Sequence, residues 1–169
     1  MANARENLLD WLRDAHAMEQ QAETMLTSQV ERLENYPDLR ARIQQHLQET
    51  QQQRAQLEGC LQRLGSSPST LKDISGKVMA FGQGMAGMVM SDEVVKGAMS
   101  GYVFENMEIA SYTVLIEAAR VAQDAETQRV CEAILQEEVA MSDWLRDHLP
   151  ELTRAFLVRS EAPGVEAKR

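Results

Sequence analysis

Several acidic side chains and one histidine interrupt the apolar stripes of this sequence, at positions where a helix would normally bury apolar residues. Glu19, Glu105 and Glu138 each lie within a stripe whose apolar members recur every three or four residues. His46 and Glu49 form a His-x-x-Glu pair at the corresponding place in another segment. Carboxylates with an occasional imidazole are typical ligands of iron and manganese. These residues therefore predict a carboxylate-rich metal site.

Such carboxylates need a compensating charge if they meet in the core of a protein. An uncompensated buried charge costs several kcal/mol, so the groups must be protonated, paired or bound to cations. The stripes contain no lysine at this level, and Arg54, about one helical turn from Thr50, is an alternative partner for one carboxylate. Two divalent ions would balance four carboxylates. Structural zinc is disfavoured because cysteines and histidines do not cluster.

Four long amphipathic segments must position these residues, and their periodicity predicts four helices. The predicted bounds are Asn3 to Glu34, Pro37 to Leu64, Asp92 to Gln123 and Ala125 to His148. Gly65 after the second segment and Asp124 before the fourth are typical of helix boundaries. We expect Pro150 to end or kink the fourth helix. Each polar insert lies near the middle of its helix, so the inserts should converge in an antiparallel bundle.

The connections between the segments predict two helical hairpins. Only a few residues join the first pair and the last pair, which favours antiparallel neighbours. Residues 66–91 form a long Met- and Gly-rich connection, which we interpret as a crossover containing a short helix. Its apolar part is too short to span a bilayer. The expected fold class is an all-α antiparallel four-helix bundle over residues 1–159, followed by a flexible tail over residues 160–169.

The composition restricts the partners and the location. A formal net charge of −9, without a block of lysine or arginine, disfavours nucleic acids and anionic membranes and favours metal ions as partners. The polar N-terminal residues do not resemble a signal peptide, so we expect a cytoplasmic protein. Cys60 and Cys131 lie far apart in predicted helices, which is typical of reduced structural thiols.

Other polar residues near the predicted site have simpler interpretations. Tyr102 and Tyr112 flank Glu105 in the third helix. We interpret both tyrosines first as core residues and second as hydrogen-bond donors to the ligands or as electron carriers. The glutamines at 51–53 are most simply a solvated helix face.

Four stretches carry the polar inserts together with their flanking residues. They are Asp14 to Glu19, His46 to Thr50, Gly101 to Ala110 and Ala133 to Glu138. These stretches resemble the bacterial YciE/YciF ferritin-like stress proteins, YciE most closely, and the likeness covers nearly the whole chain. The resemblance implies a rubrerythrin-like four-helix bundle, a di-metal centre and an association with stress responses. It implies no established reaction.

The resemblance also implies roles for individual residues. It implies that four glutamates are metal ligands, namely Glu19, Glu49, Glu105 and Glu138. It implies that His46 and Glu108 are either ligands or hydrogen-bond partners of ligands. The Glu-x-x-His motif that is common in ferritin-like proteins is absent, because Gln52 follows Glu49 and Met141 follows Glu138 at that spacing. An imidazole ligand would therefore have to be His46.

Two hypotheses from different classes follow. In the first, two iron ions, with manganese as an alternative, are bound by the glutamates and react with peroxide or oxygen. In the second, the chain is a metal-poor helical scaffold that acts by association as a homodimer, with its buried carboxylates protonated or paired to arginine. A hollow iron-storage shell is a third interpretation that no sequence feature specifies.

Overall fold

The computed structural model describes residues 3–66 and 94–164, and within them the regular structure is entirely α-helical. Four helices account for most of these residues: α1 at Ala4–Arg32, α2 at Pro37–Arg63, α3 at Val94–Val121 and α4 at Ala125–Glu161. The predicted crossover lies almost wholly outside the described residues, as do the first two residues of the predicted third helix and the last five residues of the predicted tail.

The helices pack as a bundle of two hairpins. α1 packs along α2 and α3 packs along α4, while smaller contacts join α1 to α3 and α2 to α4. The links between paired helices are short, as predicted, because α1 and α2 are separated by residues 33–36 and α3 and α4 by residues 122–124. The predicted all-α four-helix bundle is therefore confirmed.

Local chemistry explains where the helices begin and end. The Asn3 side chain accepts a hydrogen bond from the Glu6 N–H, and the Glu6 carboxylate accepts one from the Asn3 N–H, so α1 begins with a capping box. Gly65 follows α2 with a φ of +88°, a conformation that glycine adopts without strain. The Asp124 side chain caps α4 at the Thr127 N–H, at a distance of 3.1 Å.

Two apolar clusters fill the core. Between them lie buried polar residues, among them Glu19, His46, Glu105 and Glu138, which we call the polar layer. The first cluster includes Leu12, Leu57, Leu115 and Ile134, and the second includes Leu26, Ile43, Ala98 and Met141. Along each helix the buried polar residues lie between members of these clusters; in α1, for example, Glu19 lies between Leu12 and Leu26. Because apolar side chains close the layer above and below, its polar atoms are shielded from water.

The fourth helix is longer than predicted. We predicted that this helix ends or kinks at Pro150, but α4 continues through the proline to Glu161. Proline lacks an N–H and removes one hydrogen bond to the preceding turn, yet the helix resumes beyond it. Leu152, two residues past the proline, is buried in the second apolar cluster, and this packing stabilises the extension. The predicted tail at residues 160–169 therefore begins inside α4.

No helix within residues 3–66 and 94–164 combines the length and the apolar character needed to cross a lipid bilayer. Both cysteines of the chain are free and buried in the first apolar cluster. Burial raises the pKa of the Cys131 thiol to about 12, which fits a structural role.

The continuation of α4 predicts that Pro150→Ala stabilises the protein. Pro150 is exposed, so alanine loses little packing, and it restores a backbone donor for the helix. We expect the free energy of unfolding, measured by urea denaturation, to rise by about 1–3 kcal/mol. Glu151→Ala, at the next exposed position, is the control and should change it by less than about 0.5 kcal/mol. A lower stability for Pro150→Ala would show that α4 is not continuous at this residue.

Candidate metal centre

Four of the six predicted site residues form one compact group in the polar layer. One ligand atom from each of His46, Glu105, Glu108 and Glu138 lies within 4.8 Å of the others, and all four residues are buried. They come from three helices, since α2 supplies the histidine, α3 supplies two glutamates and α4 supplies the last. We call these residues the acidic cluster. Neither Glu19 nor Glu49 belongs to it, although both contact its surroundings.

His46 connects the acidic cluster to the outer residues of the site. Its Nε2 atom lies 3.2 Å from Glu105 Oε2 and 3.5 Å from Glu138 Oε2. Its Nδ1 atom lies 2.9 Å from Glu49 Oε2, in a hydrogen bond across one turn of α2. The Nε2 contacts are close enough for ion pairing but are not aligned as hydrogen bonds. Nε2 therefore points at the carboxylates without a hydrogen-bond partner of its own.

Glu49 lies on the opposite side of the imidazole from the acidic cluster. Its side chain is 20 % exposed, and it also accepts hydrogen bonds from Arg42 and Gln45. The hydrogen bond from His46, with those two partners, lowers the pKa of Glu49 to about 2. An ionised carboxylate on Nδ1 fixes the orientation of the ring, as is typical of histidines that bind metals through the other nitrogen. This geometry favours Glu49 as the residue that orients His46.

Glu19 enters the polar layer from α1 and is fully buried. The Tyr112 hydroxyl donates a hydrogen bond to its Oε1 atom, whereas Oε2 has no hydrogen-bond partner. Burial raises the pKa of Glu19 to about 8, although the Tyr112 hydroxyl and His46 oppose this rise. Tyr112 therefore holds one oxygen of Glu19 in place and leaves the other free.

Several buried polar atoms of the site make no aligned hydrogen bond, although His46 Nε2 forms ion pairs with Glu105 and Glu138. These atoms are Glu19 Oε2, His46 Nε2, Glu105 Oε2, Glu108 Oε1 and both carboxylate oxygens of Glu138. The large majority of buried side-chain polar atoms in folded proteins have a partner, so such a concentration needs an explanation. Oxygen donors with one imidazole nitrogen are ligands that first-row divalent ions accept. The residues present therefore fit a metal centre.

The electrostatics show how the site exists without a metal. Burial, together with the neighbouring carboxylates, raises the pKa of Glu108 and of Glu138 well above the usual range. Burial lowers the pKa of His46, but Glu105, Glu49 and Glu138 outweigh this effect and raise it to about 10. The metal-free site is therefore held together by protonated carboxyl groups around an imidazolium ion.

The polar layer also contains residues that the sequence analysis did not assign to the site. Gln53 was placed on a solvated face, but it is fully buried and its Nε2 atom donates a hydrogen bond of 2.8 Å to Glu137 Oε2. The signal was present in the spacing, because Gln53 follows His46 and Thr50 on the same face of α2. Tyr112 was interpreted first as a core residue and second as a hydrogen-bond donor, and it is both, because it packs in the first apolar cluster and its hydroxyl donates to Glu19.

Arg54 does not neutralise the buried carboxylates. Its guanidinium lies 2.8 Å from the Glu23 carboxylate in a partly exposed ion pair. Within the described part of the chain, the positive charge in contact with Glu105 and Glu138 is instead that of His46, which is itself a member of the acidic cluster.

The fold and the site define a four-helix-bundle protein with a buried layer of carboxylates and one histidine. Residues 3–158 match the model of the family described as "Domain of unknown function (DUF892)", and the chain belongs to this family. Because the match extends from the start of α1 almost to the end of α4, it includes every residue of the acidic cluster.

The solved structures that are similar to this chain include the following three. A protein from Xanthomonas campestris pv. campestris shares 42 % sequence identity with a TM-score of 0.79, over 95 % of this chain and all of that one. YcfI from Rhodopseudomonas palustris shares 27 % identity with a TM-score of 0.67, over 86 % and 94 % of the two chains. The E. coli stress protein YciF shares 19 % identity with a TM-score of 0.73, over 89 % and 97 %. The likeness to YciF is one of fold, and the predicted proximity to YciE stays a prediction.

The hydrogen bond between Tyr112 and Glu19 predicts the effect of Tyr112→Phe. The variant keeps the ring and removes the hydroxyl, so Glu19 Oε1 loses its donor and neither oxygen of this buried carboxyl group keeps one. We expect the free energy of unfolding of the metal-free protein to fall by about 1–3 kcal/mol in urea denaturation. Tyr102→Phe, which removes a half-buried hydroxyl from the same helix, is the control and should cost less. Equal effects of the two variants would argue against the bond.

The shifted pKa values predict how the stability of the metal-free protein depends on pH. Glu19 has an ordinary pKa of 4.5 and a folded pKa of about 8, so between these values the folded chain holds an extra proton and stability falls as the pH rises. His46 has an ordinary pKa of 6.5 and a folded pKa of about 10, so its contribution to stability also falls as the pH rises between these values. Glu49 acts in the opposite direction, because its contribution is present above pH 4.5 and is lost as the pH falls through about 2.

We therefore expect the free energy of unfolding of metal-free protein to decrease between about pH 5 and pH 8. Glu19→Gln should flatten this decrease by up to about 1.4 kcal/mol per pH unit, the contribution of one proton. Glu31→Gln, an exposed position on the same helix, should leave the pH profile unchanged. The idea fails if the two variants give the same profile in urea denaturation across this range.

Proposed function

We propose that the acidic cluster is part of a di-metal centre, with iron as the expected metal and manganese as the alternative. The observation that carries the proposal is the set of buried, unpaired ligand atoms that His46, Glu105, Glu108 and Glu138 place within 4.8 Å of one another. Glu19 supplies a further unpaired oxygen from α1, and Glu49 orients His46 or is itself a ligand. All six predicted site residues thus have a place in the proposed centre.

The charge of the site supports two ions rather than one. When ionised, the four buried glutamates carry four negative charges in a region that both apolar clusters shield from water. Two divalent cations would balance these charges. Carboxylate oxygens favour iron or manganese over softer metals, and the single imidazole is compatible with either.

Metal binding would require the residues of the site to lose protons. His46 would release the proton from Nε2 and keep Nδ1–H for its hydrogen bond to Glu49. Glu19, Glu108 and Glu138, whose pKa values are raised, would ionise. Tyr112 would keep its hydrogen bond to Glu19 Oε1 and so limit the positions that Glu19 Oε2 can take.

The reaction that fits such a centre is an oxidation of iron or a reduction of peroxide. When bound, two ferrous ions would supply two electrons which, with two protons, would convert one hydrogen peroxide molecule to two water molecules and leave the iron ferric. The chain contributes a buried site whose carboxylates favour the ferric state by their charge. On this proposal the protein is ferritin-like and acts in a stress response, a role that accords with the name of the E. coli stress protein YciF.

A second candidate function, association without a metal, is supported by the outer face of α3. Met99, Val103 and Val114 are each about half exposed on this helix. Large apolar side chains on one face of a helix are typical of a contact with another chain. A homodimer formed through this face would suit a helical scaffold, and it would also be compatible with a metal centre inside each bundle.

Metal content separates the two functions. We expect protein purified without a His-tag and loaded anaerobically with Fe(II) to hold about two ions per chain by plasma mass spectrometry, as in other di-metal bundles. Glu105→Gln should lose metal, because it replaces a cluster oxygen, whereas Glu117→Gln, an exposed position on the same helix, should keep it. Protein that stays metal-free, with a Glu105→Gln variant as stable as the wild type or more so, would support the scaffold instead.

A further inference from the structure

The second helix carries three buried polar residues in succession on the face that it turns to the core. They are His46, Thr50 and Gln53, which are spaced by four and three residues and so form one row along α2. The Thr50 hydroxyl and Gln53 Oε1 are buried without a hydrogen-bond partner, and His46 Nε2 makes only ion-pair contacts. Of the three, only His46 belongs to the acidic cluster. The unsatisfied polar atoms of the layer therefore continue along α2 beyond the cluster.

The hydroxyl of Thr50 differs from those of four other threonines in the helices. Thr24, Thr27, Thr113 and Thr153 each donate a hydrogen bond to the backbone carbonyl four residues earlier. Thr50 makes no such bond, although its side chain is only 1 % exposed. Its hydroxyl is therefore available to a group in the core.

The amide of Gln53 has a fixed orientation. Its Nε2 atom donates a hydrogen bond of 2.8 Å to Glu137 Oε2 on α4. A carboxylate accepts hydrogen bonds, so the amide turns its nitrogen to Glu137 and its oxygen away from it. The half-buried Glu137 thus holds Gln53 in the way that Glu49 holds His46. In both pairs an outer glutamate binds one end of a buried, neutral ligand group.

Gln53 lies on the side of the polar layer that Glu19 occupies. α2 and α3 run in the same direction, because each packs antiparallel against α4. His46 contacts Glu105, and seven residues further along each helix, about 10 Å, lie Gln53 and Tyr112. Tyr112 is the residue that donates its hydrogen bond to Glu19. Two unpaired oxygens, Glu19 Oε2 and Gln53 Oε1, therefore lie to one side of the contact between His46 and Glu105.

We propose that Gln53 is a ligand of the second ion of the di-metal centre and binds it through Oε1, together with Glu19 Oε2. This inference rests on the proposed metal function. An amide oxygen is a donor that hard divalent ions such as Mn(II) accept. Two such ions already balance the four buried glutamates, so a neutral ligand completes the site without adding charge. The two ions then differ, because His46 binds one of them and oxygen atoms alone bind the other.

The test is a titration of metal-free protein with Mn(II), followed by electron paramagnetic resonance. The spectrum counts the bound ions, and two neighbouring ions give a spin-coupled signal that a single ion does not. Gln53→Met keeps the length of the side chain and the helix propensity but replaces the amide with a thioether, a poor ligand for hard ions. We expect this variant to keep one ion and to bind the second at least about tenfold more weakly, without the coupled signal. Gln52→Met, at the exposed neighbouring position, is the control and should bind both ions as the wild type does.

A histidine at the same position separates a ligand from a structural residue. In Gln53→His one ring nitrogen can donate to Glu137 and the other can bind the ion, so the second ion and the coupled signal should be retained. Loss of the second ion in both Gln53→Met and Gln53→His would indicate a structural role and overturn the proposal. Gln53→Ala repeats the test if Gln53→Met does not fold.

The same titration distinguishes a failure of this inference from a failure of the metal function. A coupled pair of ions that Gln53→Met binds with wild-type affinity would overturn the role of Gln53 and leave the metal centre standing. A wild-type chain that binds no Mn(II) would overturn both.

Discussion

The burial of carboxylates that lack hydrogen-bond partners is the constraint on which the rest of this structure depends. Placing ionised carboxylates in an apolar core is costly, and the cost is greatest when several share one site. In the metal-free chain, protons on Glu19, Glu108 and Glu138 and the positive charge of His46 reduce this cost. When these groups are ionised, several oxygens of the layer have no hydrogen-bond donor, so the fold then holds a set of ligand atoms that hydrogen bonds alone do not satisfy.

The surrounding elements maintain this arrangement. Apolar clusters on both sides of the polar layer exclude water, which strengthens every charge interaction inside it. Tyr112 donates a hydrogen bond to one oxygen of Glu19 and leaves the other oxygen facing the layer. Glu49 forms a hydrogen bond with one ring nitrogen of His46 and leaves the other nitrogen facing the layer. Stability would be simpler to achieve with apolar residues at these positions, and this is the reason for proposing a ligand of the polar layer.

The fold could be predicted from the sequence because its signals are local. The periodicity of Leu12, Glu19 and Leu26 identifies the buried face of α1, and the caps at Asn3 and Gly65 define helix ends within a residue or two. Pro150 misled the prediction because its local effect is offset by the packing of Leu152, which is a tertiary contact. Gln53 was assigned to solvent for a related reason: its neighbours Gln51 and Gln52 are exposed, and composition alone does not show which member of the run faces the core. The residues of the site were recognisable as polar inserts in apolar stripes, whereas the division between cluster residues and the orienting Glu49 depends on side-chain geometry across helices.

Proton release on metal binding tests the central claim most directly. Calorimetric titration of metal-free protein with Mn(II) at neutral pH, repeated in buffers of different ionisation enthalpy, measures the protons released per ion bound. We predict that Mn(II) binds and that the site releases protons as it does so. Glu138→Gln should reduce both the binding and the number of protons released. Glu132→Gln, an exposed position on the same helix, should change neither. The absence of binding, or binding without proton release, would contradict the claim that protonated carboxylates of the polar layer become metal ligands.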